Sequence, residues 1–254
     1  MREFSKEAGG KGELMIYGIR PVMEALEAGK EIERIFIHRQ AKGEAMQELK
    51  KSLQQRGISW QDVPVEKLNR LTRKNHQDVI CFISAIPYAP IEEIIQSIFN
   101  RGKIPLVLLL DRITDVRNFG AIARTAECTG VDAIVIPEQG AAQVSADAIK
   151  TSAGALNIIP VCRVRNLRNT VSYLKESGIK IFAATEKGNR LTFDADYTSP
   201  TAVILGSEES GVSNDLLQLA DEKIRIPLMG NIDSLNVSVA CGMILHEVMR
   251  QRTN

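Results

Sequence analysis

The segment PLVLLLDRITDVRNFGAIARTAECTGVDAIVI, residues 105–136, sets two unbroken apolar runs, 105–110 and 133–136, on either side of a helical text. Strands that are apolar at every position and alternate with helices belong to a parallel sheet covered on both faces. Outward from this segment the alternation continues through apolar runs at 158–162, 180–184, 201–205 and 223–226. The later part of the chain, 105–254, therefore reads as an α/β domain with a parallel sheet.

Upstream the text changes. Residues 19–28 read as a short helix opened by Pro21 and closed by Gly29, then come a strand at 32–38, a helix at 40–56 stopped by Gly57, a short strand at 58–63, a helix at 65–71 and an apolar run at 79–85. These elements make a small αβ domain over 14–87. Pro87, Pro90 and Pro105 surround a helical text at 91–99, which marks 88–104 as a linker. Residues 1–13 hold three glycines, mixed charges and no apolar period, and an irregular terminus is expected there.

The 254 residues are 44% hydrophobic and 25% charged, with 18 Gly and 9 Pro, the balance of a folded chain rather than a fibrous or disordered one. The aliphatic run 106–110 is far short of the roughly 20 residues that cross a bilayer, and the first residues lack an apolar signal core. A cytoplasmic protein without a membrane partner is expected. Cys81, Cys128, Cys162 and Cys241 are widely separated, so reduced core cysteines are expected rather than a zinc site or a disulfide framework. With 32 Lys and Arg against 31 Asp and Glu, any nucleic-acid partner has to be argued from local patches. Two clusters qualify: Lys67, Arg70, Arg73, Lys74 and His76, and then Arg163, Arg165 and Arg168. Each reads equally as a phosphate-contacting surface or as ordinary solvated charge.

Open parallel sheets bind ligands at the carboxyl ends of their strands. In the first segment the strand ends at Asp111 and a helix begins near Asn118 and Gly120, with Arg117, Asn118 and Arg124 around its opening. Free N–H groups beside two arginines suit a phosphate or ribose, while a capped helix with solvated arginines gives the same text. The second segment, ILGSEESGVS at 204–213, places Gly206, Ser207, Glu208, Glu209 and Gly211 after a strand. Its glycines admit close approach of a ligand and Glu208 can accept from hydroxyl or amine groups, or 210–215 simply starts a helix. The third, IPLMGNIDSLNVSVACGMILHEVMR at 226–250, runs through Gly230 and Asn231 to Ser234, Leu235 and Asn236, which open an apolar helix expected over 234–249. Ser238, Ala240 and Gly242 leave room for close approach of another element, a subunit interface being one reason. The dinucleotide fingerprint, the phosphate loop and the nucleophile elbow are absent, which removes the common hydride-transfer, NTPase and hydrolase readings. His38, His76 and His246 lack metal-ligand spacing.

Taken in order, the motifs Asn118-Phe-Gly-Ala-Ile-Ala-Arg124-Thr-Ala, Gly206-Ser-Glu208-Glu-Ser-Gly211 and Ile226-Pro-Leu-Met-Gly230 leading to Ser234-Leu-Asn236-Val-Ser-Val-Ala240 resemble the SpoU (TrmH-like) family of the SPOUT superfamily. The text Tyr17-Gly-Ile-Arg-Pro-Val-Met-Glu-Ala-Leu resembles the L30e-like substrate-binding domain of the branch that methylates a guanosine of 23S ribosomal RNA. That branch commonly carries His-Gln-Gly near the end of its first domain, whereas here His76-Gln77 is followed by Asp78. A glycine there permits positive φ or close contact, so an RNA role for this loop is in question.

The resemblance implies a catalytic domain with a deep trefoil knot, a homodimer, S-adenosylmethionine as methyl donor, no metal, no DNA partner, and 2′-O-methylation of RNA ribose as the reaction. It implies a catalytic set of Asn118, Arg124, Glu208, Ser234 and Asn236, and donor-binding positions Thr185, Leu205, Gly206, Ile226, Leu228, Ser234 and Leu235. Family proposals make Arg124 the base. A guanidinium is essentially always protonated, so anchoring phosphate and stabilising a forming alkoxide is the easier chemistry for it. Other substrates, transfer RNA or a drug-binding ribosomal adenosine, fit the same motifs, and a non-catalytic RNA-binding or ribosome-assembly factor is the rival outside enzymes.

Overall fold

The computed structural model describes residues 7–9 and 13–253, and they divide into two compact units. One comprises the chain to Pro87 with Gln143–Asp147, and the other comprises Tyr88–Ala142 and Ala148 onward.

In the first unit, β1 (Glu7–Gly9), β2 (Glu13–Tyr17), β3 (Ile32–His38), β4 (Gln61–Val63) and β5 (Val79–Ile83) form a sheet in the order β1-β2-β5-β3-β4. All pairings are antiparallel except β3 with β4. The irregular terminus expected over 1–13 is thus corrected at Glu7–Gly9 and Glu13, which pair as strand; residues 1–6 and 10–12 lie outside the described residues. Helices α1 (Ile19–Glu27) and α2 (Glu44–Gln55) bury Val22, Leu26, Met46, Leu49 and Leu53 against Ile35, Ile37, Val79 and Cys81. Helix α3 (Val65–Leu71) buries Leu68 on the opposite face with Phe36, Ile80 and Phe82.

The loop before β5 holds two non-glycine residues in the left-handed region, Gln77 at φ 46° and Asp78 at φ 64°. Asp78 stands where the resembling branch has glycine, and the backbone there does demand positive φ. Its N–H donates to His76 Nδ1 at 3.1 Å, which leaves His76 Nε2 to donate to Asn69 Oδ1 at 3.0 Å. His76 is buried, so it leaves the basic cluster in which the sequence placed it. Gln77 Oε1 accepts from the Ile19 N–H at the start of α1.

The second unit carries seven parallel strands: β6 (Leu106–Asp111), β7 (Ala133–Pro137), β8 (Val161–Val164), β9 (Lys180–Ala184), β10 (Arg190–Leu191), β11 (Thr201–Gly206) and β12 (Glu222–Arg225). Their order is β10-β12-β9-β11-β6-β7-β8. On one face Val107, Leu109, Val135, Ile181, Ala202 and Ile204 pack with α4 (Ile91–Asn100), α7 (Leu167–Glu176) and α8 (Asn214–Leu219). Residues of the other parity, including Leu108, Leu110, Ile134, Phe182 and Val203, are equally buried and face the other side. There α5 (Val116–Cys128) and α9 (Val237–Thr253) pack on one another. A short α6 (Ala146–Thr151) precedes β8. Gly120 of α5 lies where a Cβ would come within 2.6 Å of Thr151 Cβ, so a side chain has no room there.

Several expected boundaries shift for local reasons. Asp115 Oδ1 accepts from the N–H groups of Arg117 and Asn118, both at 2.8 Å, so α5 starts at Val116 instead of near Asn118. The stretch 88–104 is more than a connection, because Ile91, Ile95 and Ile98 of α4 are buried in the core of the second unit. The run 158–162 becomes strand only from Val161, and Ile158 is 70% exposed. The last helix begins at Val237, after Asn236 accepts from Ser238 N and Val239 N. It is anchored at its far end by Arg252, which donates to the carbonyls of Ile104, Pro105, Tyr197 and Ser199. Cys81, Cys162 and Cys241 are buried, which pushes each thiol up to about 12, whereas Cys128 is exposed, contrary to expectation.

Candidate active site

Gly206 ends β11 in register with Asp111 at the end of β6, which brings the second motif beside the first. The 207–211 turn folds back on itself through Ser210 N to Ser207 Oγ at 3.2 Å and Gly211 N to Ser207 O at 2.9 Å. A Cβ at Gly206 would fall onto the backbone of Gly211 and Val212. The glycine is therefore required by the turn itself, and the expectation that it makes room for a ligand is corrected.

Arg112 holds this turn in place. It lies at φ 58°, and its guanidinium donates to both oxygens of Asp111 at 3.1 Å, to Ser210 Oγ at 3.0 Å and to Gly211 O at 3.0 Å. The hydrogen bonds to Asp111 raise the Arg112 pKa above its ordinary value. Asp111 is buried and also accepts from Ser213 N at 2.7 Å. Sequence reasoning singled out Asp111 as a strand end and missed Arg112, because nothing in the text signals a clamp between residues 98 and 99 positions apart.

The third motif closes on the other two. Asn236 Nδ2 donates to Glu208 Oε1 at 2.6 Å and to Asn118 Oδ1 at 2.9 Å, and Asn118 Nδ2 donates to the same Glu208 oxygen at 3.1 Å. Val237 N, at the start of α9, points at that oxygen from 3.5 Å. Three of the five expected catalytic residues thus form one hydrogen-bonded cluster. Arg124 is not in it: it stands six residues beyond Asn118 on α5, about 9 Å along the helix axis, exposed and without a hydrogen bond or ion pair among the described residues. Ser234 is exposed and lines the cleft described next.

Beside the cluster opens a cleft of about 490 Å³, lined by Thr185, Leu205, Gly206, Ile226, Leu228, Ser234 and Leu235, together with Glu208 and the apolar Ile224, Val237 and Ile244. Every residue expected to touch the donor lies on its wall. Glu186, Lys187 and Asp233 also line it and were not singled out from sequence. Apolar walls from strand ends and a rim of carboxylates and hydroxyls suit a ligand with a flat heterocycle and a cationic end. Among the described residues no group of three or more His, Cys, Asp or Glu is placed to hold a metal ion, and no helix is long and apolar enough to cross a membrane.

Comparison with known proteins adds the following. Residues 105–246 match the model of the SpoU rRNA Methylase family, and residues 15–89 match that for RNA 2′-O ribose methyltransferase substrate binding. A Staphylococcus saprophyticus protein named as a TrmH family tRNA/rRNA methyltransferase is 35% identical over 241 residues, 94% of this chain and 96% of its own. Bacillus subtilis YacO, of the same description, is 32% identical and covers 93% of this chain and 95% of its own. Among solved structures, the SpoU methyltransferase AviRb from Streptomyces viridochromogenes, in complex with AdoMet, superposes with a TM-score of 0.61 at 26% identity, covering 95% of this chain and 91% of AviRb. An AdoMet-bound rRNA methyltransferase from Sinorhizobium meliloti gives a TM-score of 0.57 at 25% identity, covering 93% and 86%.

Proposed function

The chain belongs to the SpoU rRNA methylase family, and from that premise we propose that it methylates a ribose 2′-hydroxyl of RNA with S-adenosylmethionine as donor. The observation that carries this reading is the meeting of Asn118, Glu208 and Asn236 at the rim of the 490 Å³ cleft. When bound, the donor supplies an electrophilic methyl group on a sulfonium. Leu205, Ile226, Leu228 and Leu235 offer apolar walls to its heterocycle, while Thr185, Ser234 and the backbone at Gly206 offer polar contacts. The chain has then to bring a ribose oxygen in line and ease the loss of its proton.

Arg124 is the group we assign to the substrate. An exposed, unpaired guanidinium has its donors available for a phosphate and for the developing oxyanion, and it need not give up its own proton for this. Glu208 fixes the two asparagine amides through its shared oxygen, which orients the start of both α5 and α9 toward the cleft.

Within RNA we propose ribosomal RNA, and specifically a guanosine of the 23S molecule, as substrate, with the first unit as the substrate-binding domain; the match at residues 15–89 supports an RNA-binding role. The trefoil threading, a cytoplasmic location and a homodimer are parts of the same proposal. An exposed apolar set of Met229, Ile232, Val239 and Met243 supports the dimer. Tritiated methyl transfer to total RNA, followed by mapping of 2′-O-methyl positions in cells with and without the protein, tests the reading. Absence of incorporation into any RNA overturns it, and incorporation into transfer RNA moves the substrate.

A further inference from the structure

A second groove, of about 460 Å³, opens in the same unit and shares no lining residue with the Glu208 cleft. It lies where β8 ends at Val164 and α7 begins at Leu167, and Tyr88, Glu92, Arg163, Arg165, Asn166 and Asn169 line it. The Arg163 guanidinium lies 5.3 Å from the centre of the Tyr88 ring, making a half-buried stack on the groove wall. Arg165 is 79% exposed and meets Glu138 at 3.8 Å; Arg168, in the first turn of α7, is 58% exposed and meets Asp215 at 4.0 Å. Exposed ion pairs this long contribute little and exchange readily for a better partner.

The parallel sheet puts this groove on the same edge as the cluster. Asn118 follows β6, Glu208 follows β11 and Arg165 follows β8, and every pairing between these strands is parallel, so all three loops leave the sheet at its carboxyl edge. From β11 to β8 the order β11-β6-β7-β8 spans three strand spacings, about 14 Å. That is the length of about four stacked nucleotides at ~3.4 Å each.

We propose that this groove is a second RNA contact, which holds the strand a few nucleotides from the one modified. A base lies against the Tyr88–Arg163 stack, the flanking phosphates meet Arg165 and Arg168 at the rim, and the amides of Asn166 and Asn169 face base or sugar edges. Glu92 on the groove wall keeps the phosphates out at the rim. The proposal rests on the RNA methyltransferase reading, and its test separates the two.

The full chain, the Arg165→Glu/Arg168→Glu variant, Tyr88→Leu and Tyr88→Phe are compared in methyl transfer to RNA from cells lacking the protein, and in anisotropy titrations of a fluorescein-labelled single-stranded RNA. The double variant is expected to raise KM for RNA about tenfold, to leave kcat within about twofold, and to flatten the slope of log affinity against log salt by about 2 units. Tyr88→Leu is expected to weaken RNA binding several-fold while Tyr88→Phe keeps it, with melting temperatures unchanged. Wild-type activity combined with unchanged KM and salt slope in the double variant overturns the groove alone. A wild type that methylates nothing overturns the enzymatic reading, and the anisotropy titrations still decide the groove, since equal affinities of all four proteins reject it.

Discussion

Asn118 and Asn236, 118 positions apart in the chain, meet at 2.9 Å and both donate to one oxygen of Glu208. A single carboxylate oxygen therefore ties α5, the 207–211 turn and the start of α9 together. Removing it leaves two amide groups without their shared acceptor. Glu208→Ala is expected to lower kcat by about 30-fold, equivalent to about 2 kcal/mol of lost orientation. Glu208→Gln keeps an acceptor oxygen and is expected to stay within about fivefold of wild type. Equal kcat for Glu208→Ala and wild type in a methyl-transfer assay would remove the cluster from the mechanism.

Arg124 makes no bond that the fold depends on. Its replacement by Ala is expected to leave unfolding free energy within about 0.5 kcal/mol of wild type. Donor binding by calorimetry should persist while methyl transfer falls about 100-fold or more. Full activity in this variant would reject the role assigned to it.

Arg112 combines a positive φ with bonds to Asp111, Ser210 and Gly211. Arg112→Ala loses the bonds and keeps the backbone strain, whereas Arg112→Gly loses the bonds and relieves it. The glycine variant is expected to be about 1 kcal/mol more stable than the alanine variant by urea unfolding. Both should raise the donor KM more than they lower kcat, since the clamp acts on the turn beside the cleft and touches no substrate. An effect confined to kcat would contradict this.

Asp78 at φ 64° meets His38 Nδ1 at 3.3 Å in a pair open to solvent. Such a pair contributes little, while glycine occupies the left-handed region without penalty. Asp78→Gly is expected to be neutral or stabilising by up to about 1 kcal/mol and Asp78→Ala to be destabilising by about 1 kcal/mol. Chemical denaturation of the two variants checks the order, and alanine proving the more stable would refute the argument.

Glu247 is held down to about 2 from an ordinary 4.5, first by its hydrogen bonds with Arg250, against a smaller opposing effect of burial, with Gln251 assisting. A carboxylate with a depressed folded-state pKa contributes stability that is fully present above its unfolded value and is lost as pH falls toward the folded value. Between about pH 5 and pH 2 wild type should therefore lose more stability than Glu247→Gln. Urea midpoints measured across that range read the difference, and parallel curves would show that the pair adds nothing.

The sequence fixes its period locally, and what depends on period was legible in it. Alternating apolar runs and helices gave the parallel sheet of the second unit, and the expected helix at 65–71 and strand at 180–184 coincide with Val65–Leu71 and Lys180–Ala184. Elements too short for a period were not legible, as with Arg190–Leu191, and Asp115 displaced a helix start because a cap is a side-chain contact rather than a pattern. Composition also misplaced His76, whose hydrogen bonds to Asn69 and Asp78 bury it.

What the chain's order of residues determined by itself was which segments carry chemistry: the texts around Asn118, Glu208 and Asn236 stand at strand ends where a parallel sheet exposes backbone and polar groups. Tertiary structure decided which of them meet. Strand β11 lies next to β6 rather than next to its neighbours in sequence, and this alone sets Glu208 against Asn118, lets Arg112 reach Ser210, and makes Gly206 a demand of the turn. The reason is physical: side-chain periodicity is set by bonds between near neighbours, whereas strand order comes from burying both faces of the whole sheet at once, a property of no single stretch.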